Sequence, residues 1–220
     1  MNETKIHLSK LETEIVQNQE WILAKRSVVE KVVFLFSGLM EDCKKIISDK
    51  SMPIFTDLKN INGKISKGEN YQGLPYVMMD YPALFQRDKI FAIRTFFWWG
   101  NFFSITLHLS GSGLHQMNFG AAFSFLKENN FFVCVNNDEW DHTFEKNNLI
   151  KAKHLSQSEI NALSQKNFFK ASKKTGLGKW NGADKFLTKS FREIVDLINV
   201  SFQSGATNLL PGSPKDGFDL

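Results

Sequence analysis

Two runs of aromatic and β-branched residues, 91–99 and 102–110, flank the dipeptide Gly100-Asn101. This pattern constrains the fold more than any other in the chain. The apolar stretch 90–109 has about the length, roughly 20 residues, that crosses a bilayer as a helix. Arg94 near one end, His108 near the other and a turn dipeptide in the middle make it a β-hairpin instead. An unpaired arginine inside a membrane is too costly for the alternative, and no membrane partner is expected. A two-residue turn would set Ile93 opposite His108, Thr95 opposite Thr106 and Phe97 opposite Ser104. One face would then carry Ala92, Arg94, Phe96, Trp98, Phe103, Ile105, Leu107 and Leu109, apolar except for Arg94. The other would carry Phe91, Ile93, Thr95, Phe97, Trp99, Phe102, Ser104, Thr106, His108 and Ser110. A turn of odd length would change this pairing.

An arginine on a core face needs a partner, because an unpaired buried charge is very costly. Asp80, at the end of the preceding extended run 74–81, is the nearest candidate. Arg94 then either forms a buried ion pair or binds a ligand carboxylate or phosphate with its planar fork. The mixed hairpin face reads as the wall of an aromatic-lined pocket, with Thr95, Trp99, Thr106 and His108 as ligand-binding candidates. Gly111-Ser112-Gly113 follows between a strand and a helix. Ser112 and Gly113 there are candidates to hold an anion on exposed backbone N–H groups. The spacing is neither a dinucleotide fingerprint nor a P-loop, since Gln116 stands where the third glycine would be.

The remainder of the chain supplies helices and short strands. Leu8, Leu11, Ile15, Ile22, Val29, Val32, Phe36, Leu39, Cys43 and Ile46 recur at helical spacing through the first fifty residues, with Pro53 as the expected stop. A polar segment 60–73 precedes the extended run. A helix is expected over 114–128, a buried strand over 131–135 and another strand over 149–155. Ser156 and Glu159 have capping-box spacing, with Leu155 and Ile160 as a hydrophobic staple, so a helix starts there. An amphipathic helix over 184–202 closes the fold, and the Gly- and Pro-containing residues 205–220 form a flexible tail. The expected architecture is a single α+β domain over 1–204. Its one mixed, mostly antiparallel sheet has a central hairpin at about 90–110, packed by N-terminal and C-terminal helices. If 102–110 and 131–135 were parallel neighbours, the Gly-Ser-Gly turn and the loop 136–148 would share one edge of the sheet.

That loop carries Asp138, Glu139, Asp141 and His142. His142, Asp141 and His108 are the catalytic candidates, since a carboxylate beside an imidazole can orient a general base. His115, Asp138, Asp141 and His142 are the metal candidates, an oxygen and imidazole set suited to Zn, Mn or Fe. The residues identify no cofactor. The segment 151–192 holds ten of the chain's 27 lysines and arginines against Glu159 and Asp184, and with Phe168, Phe169 and Trp180 it could serve a nucleic acid. With 21 Phe and five Trp the core is aromatic. Cys43 and Cys134, only two and without Cys-x-x-Cys spacing, exclude a disulfide framework and a thiolate zinc site, and the polar start has no secretory h-region. A cytoplasmic protein is therefore expected.

From residue 74 onward the order of motifs resembles the uncharacterised YktB-like family of small α+β proteins. The residues that carry the likeness are Leu74-Pro75-Tyr76, an aromatic strand, a helix, and Phe131-Phe132-Val133. Asp141-His142-Thr143, Leu155-Ser156-x-x-Glu159-Ile160 and Lys173-Lys174 follow. The likeness covers 74–177 and implies a fold and no activity. Three functions remain open: a small-ligand or partner-binding module, which could take a small anionic ligand or a protein; a metal-assisted hydrolase or transferase; and a nucleic-acid binder.

Overall fold

The computed structural model describes residues 6–202 except 112, 113 and 115. Seven strands form one sheet: β1 (Lys64–Tyr71), β2 (Leu74–Gln86), β3 (Lys89–Trp98), β4 (Phe102–Gly111), β5 (Phe132–Cys134), β6 (Leu149–Lys151) and β7 (Phe168–Gly176). Their spatial order is β1-β2-β3-β4-β7-β5-β6, and every pairing among the described residues is antiparallel. The α+β class, the central hairpin and the packed helices are as the sequence predicts. The condition of parallel neighbours is not met, because β7 lies between β4 and β5. Both strands still point the same way, each being antiparallel to β7.

Several elements differ from the sequence expectation. The polar segment before Leu74 contains β1, an edge strand in which every residue is half-buried or exposed. Pro53 does not end the first helix. It occupies the first turn of α3 (Pro53–Lys59), where a missing N–H costs nothing. The N-terminal helical region, whose spacing leaves open one bent helix or two, consists of two, α1 (Lys10–Gln17) and α2 (Gln19–Ser48), divided at Asn18. Ser9 caps α1 in a capping box with Glu12, and the Asn18 side chain caps α2. The helix expected from 114 begins later, as α4 (Phe119–Glu128), with Asn118 as its cap. α5 (Gln157–Leu163) has the predicted Ser156–Glu159 box, and α6 (Ala183–Ser201) is the predicted last helix. The tail 205–220 lies outside the described residues.

The hairpin register differs by one residue, and this rearranges both faces of the sheet. Trp98 pairs with Phe102, leaving a three-residue loop, Trp99-Gly100-Asn101, in which Gly100 takes a φ of +71°. The Asn101 N–H donates to the Trp98 carbonyl at 3.0 Å. Arg94 therefore faces Thr106, Ala92 faces His108 and Phe96 faces Ser104. Because side chains alternate, a one-residue slip sends every β4 side chain to the opposite face. Phe91, Ile93, Phe97, Phe103, Ile105, Leu107 and Leu109 now share one face with Val77, Met79, Phe169 and Ala171. Packed beneath α2, α3, α4 and α6, they form the main core. Thr95, expected in the pocket wall, is fully buried on this face, and its Oγ1 has no hydrogen-bond partner.

The aromatic residues at the hairpin tip divide between the two faces. Phe103 and the partly buried Trp99 join the main core, whereas Trp98 and Phe102 form a second, smaller cluster with Phe96, Tyr71, Tyr76 and Phe144. With Trp98 and Phe102 each 7% exposed, the tip is core and not an interface patch. No helix among the described residues is long and apolar enough to cross a membrane.

Candidate functional site

The second face of the sheet, away from the helices, carries the polar residues of the central strands. One transverse row runs Asp80, Arg94, Thr106, Ser172, Phe132 across β2, β3, β4, β7 and β5. The adjacent row contains Ala92, His108 and Lys170. A bulge in β2 between Asp80 and Ala83 reverses the alternation beyond it, which brings Phe85 to the same face as Arg94. The loop 136–148, between β5 and β6, lies over these rows and buries them.

Arg94 is the centre of the cluster. Its Nε and Nη2 donate to the two oxygens of Asp80 at 2.8 and 3.0 Å, the bidentate pair that sequence proposed as one alternative. Its Nη1 lies 2.9 Å from Nε2 of His142. A guanidinium can only donate, so His142 Nε2 accepts, and the imidazole is neutral with its proton on Nδ1. Burial, together with the charges of Lys170 and Arg94, holds His142 well below the usual histidine range, in agreement with that tautomer. Phe85 and Trp140 stack near the guanidinium, 5.7 and 5.9 Å from it.

His108 forms the second centre. Its Nε2 lies 2.9 Å from the Glu139 carboxylate, and its ring packs edge-on against Trp140 at 5.3 Å. Burial, with Lys170 and Arg94 nearby, pushes its pKa down to about 3, so a neutral imidazole donates to Glu139. Lys170 is 1% exposed and donates to the backbone carbonyls of Glu139 and Asp141 at 2.9 and 2.6 Å. Burial lowers its pKa as well. Ser172 donates to the Ile105 carbonyl at 3.1 Å, which leaves Thr106 as the donor in their 2.7 Å hydroxyl contact.

The loop itself is tied at several points. The Asp141 carboxylate accepts from the Thr143 N–H at 2.8 Å, Asn136 Nδ2 at 3.2 Å and the Tyr71 hydroxyl at 3.4 Å. Tyr71 in turn accepts from the His142 N–H at 2.8 Å, and burial pushes its pKa up to about 12. Asn148, fully buried, donates to the carbonyls of Thr143 and Asp141 at 2.7 and 3.3 Å. The Cys134 thiol, kept protonated by burial, lies 3.2 Å from the side-chain oxygens of both Asn136 and Asn148.

The structure thus brings together Arg94, Thr106, His108, Asp141 and His142. It separates Thr95 and Trp99 from them, and Ser112, Gly113 and His115 lie outside the described residues. The expected Asp141–His142 dyad does not form, because the carboxylate serves the loop backbone and the imidazole serves Arg94. The carboxylate–imidazole pair that does form is Glu139–His108. Among the described residues, no group of three or more His, Cys, Asp and Glu is placed to hold a metal ion. Asp138 is spent on the Trp140 N–H, at 2.8 Å. The basic segment is dispersed too: Lys170 is buried, Lys173 pairs with Glu193 of α6, and Lys174 lies over the rings of Phe144 and Phe102 at 4.6 and 5.3 Å.

Sequence reasoning missed Glu139, Lys170 and Tyr71, which complete the cluster. It also missed the cleft that the cluster reaches. At the end of β4 a cleft of about 790 Å³ opens among Arg87, Ser110, Phe119, Glu139, Lys166 and Phe168. Glu139 belongs to both sites, lining the cleft while its carboxylate holds His108. Lys166 in the cleft wall donates to the carbonyls of Val135, at 2.7 Å, and Asn136.

Comparisons with protein-family models, with curated proteins and with solved structures gave no match.

Proposed function

We propose that this chain is a small-ligand-binding protein whose ligand occupies the cleft at the end of β4. The observation that carries this reading is the meeting of a concave space with a pre-organised polar network. A volume of about 790 Å³ matches a small organic molecule, and one of its walls, Glu139, is fixed by the buried His108. Phe119 and Phe168 offer ring surfaces for an apolar body. Arg87, exposed at the β2–β3 turn and in no ion pair among the described residues, offers a guanidinium for a carboxylate or phosphate end. The ligand class is a small anion with an apolar body. No observation favours metal-assisted chemistry or nucleic-acid binding over this reading.

Native mass spectrometry of the freshly purified protein, with thermal shifts against aromatic and aliphatic carboxylates and phosphate esters, tests it. Members of the panel should raise the melting temperature, and Ser164→Trp, which fills the cleft from its partly exposed rim, should abolish the shift. A bare native mass together with no shift from any compound would rule the reading out. So would a shift that Ser164→Trp leaves intact.

A further inference from the structure

The apolar stripe Leu8, Leu11, Ile15, Ile22, Val29, Val32, Phe36, Leu39, Cys43, Ile46 advances by three, four or seven residues, the seven-residue steps passing over Asn18 and over Lys25 and Arg26. Only its second half is used by the domain. From Val32 to Ile46 the stripe is at most 4% exposed, whereas Leu8, Leu11, Ile15 and Ile22 are 58, 64, 38 and 43% exposed. α1 buries no residue at all. Val16, Trp21 and Leu23 add further exposed apolar surface beside the stripe. An apolar face of this length left in water is the mark of an interaction site.

The charges of the same segment say what covers it. Residues 10–20 hold three glutamates, Glu12, Glu14 and Glu20, against Lys10. Residues 21–31 hold Lys25, Arg26 and Lys31 against Glu30, and since Lys25 already pairs with Glu69 of β1, Arg26 and Lys31 are the cations left for a partner. The arm is neutral as a whole, which suits neither an anionic membrane nor a nucleic acid. It is acidic at one end and basic at the other, so it complements itself when two copies run antiparallel. A two-fold axis brings the acidic end of each copy beside the basic end of the other and turns both stripes inward. A groove of about 370 Å³ between α2 and the edge strand β1 continues this surface; Ile22 and Val29 form its apolar floor and Lys25, Arg26, Glu30, Lys67 and Glu69 its charged rim.

We infer that the N-terminal arm, α1 with the first turns of α2, is the interface of an antiparallel homodimer of this chain. The surface lies apart from the cleft, and the inference does not depend on the ligand.

Sedimentation velocity and light scattering on the full chain across the micromolar range test it. The wild type should be a dimer. Ile15→Asp with Ile22→Asp should be a folded monomer with an unchanged circular dichroism spectrum, since both side chains are exposed and carry none of the domain's core, and its melting temperature should no longer depend on protein concentration. Glu12→Lys with Glu14→Lys should be monomeric alone, as should Arg26→Glu with Lys31→Glu, and mixing the two variants should restore a dimer. A monomeric wild type, whether the arm captures another protein or binds vesicles instead, would overturn the inference. A dimer indifferent to the Ile15 and Ile22 changes, or charge variants that do not rescue each other, would do the same.

Discussion

Replacing Asp80 by Asn removes the only carboxylate among the described residues in contact with a guanidinium whose side chain is 11% exposed. Arg94 would keep only neutral acceptors, His142 Nε2 and the amide oxygen that replaces one carboxylate oxygen, and the faces of Phe85 and Trp140. Breaking one side of a buried ion pair costs about 3–5 kcal/mol, because the surviving charge stays desolvated without its counter-ion. For a domain of this size each kcal/mol moves the melting temperature by roughly 2–4 °C, which gives an expected fall of roughly 6–20 °C. Asp80 and Arg94 are also direct cross-strand partners in the centre of the sheet, so the change weakens the β2–β3 pairing where it is most covered. The companion variant Asp80→Leu with Arg94→Met buries no charge at all and should recover most of the loss. Urea unfolding of the wild type, the single and the double variants gives the three free energies needed. A single-variant cost under about 1 kcal/mol would mean that the pair behaves like a surface ion pair. A double variant as unstable as the single would mean that packing, not charge, carries the effect. Either result refutes the reasoning.

Acid should destabilise the fold before ordinary carboxylates titrate. His108, at about 3, and His142, also lowered, stay neutral in the fold but take up protons near pH 6.5 once unfolded. Between these limits the unfolded chain binds more protons, so stability is full above about pH 6.5 and is lost as pH falls, by at most about 1.4 kcal/mol per unit for each histidine. Urea midpoints between about pH 7 and pH 5 check this, and His108→Gln should flatten the slope. Thr95→Val should stabilise the fold by about 1 kcal/mol, since it replaces a buried unpartnered hydroxyl with a methyl of the same shape; a loss of stability in urea would contradict the orphan assignment. Gly111→Ala should cost more than about 2 kcal/mol, because φ is +74° there and a Cβ would sit 1.8 Å from the Asp88 carbonyl oxygen. A melting temperature close to wild type would show that the β2–β3 turn yields easily.

The hairpin, the capping box at Ser156 and the amphipathic last helix were legible because each depends on neighbours within a few residues. The register was legible only in part. In β4 the apolar residues fall on Phe103, Ile105, Leu107 and Leu109, and the polar ones on Ser104, Thr106 and His108, so the strand has a clear inner face. β3 is apolar on both faces apart from Lys89 at its start and the adjacent pair Arg94 and Thr95, which lie on opposite faces, and gave no matching preference. Setting Arg94 with the polar face of β4 would have required an odd loop, and this is the arrangement the protein adopts. β7 was hidden for a different reason. Its lysines at 170, 173 and 174 read as a solvated segment, whereas Lys170 satisfies two carbonyls, Lys173 meets Glu193, and Lys174 lies on aromatic rings. Contacts with partners 20 to 72 positions away in the chain leave no local pattern.

A buried lysine without a carboxylate looks anomalous until the backbone of the loop above it is considered. An irregular segment laid across a sheet takes its carbonyls out of water with no ladder to receive them, and each must find a donor. Lys170 serves Glu139 and Asp141, Lys166 serves Val135 and Asn136, and Asn148 serves Asp141 and Thr143. Long flexible amines suit this task because one ammonium reaches two carbonyls whose positions are not related by strand geometry. The same bonds that hold the loop down fix the backbone of Glu139, and His108 fixes its carboxylate. The wall of the cleft is therefore set by side chains that rise from the middle of the sheet, and the polar interior and the open cleft form one mechanical unit.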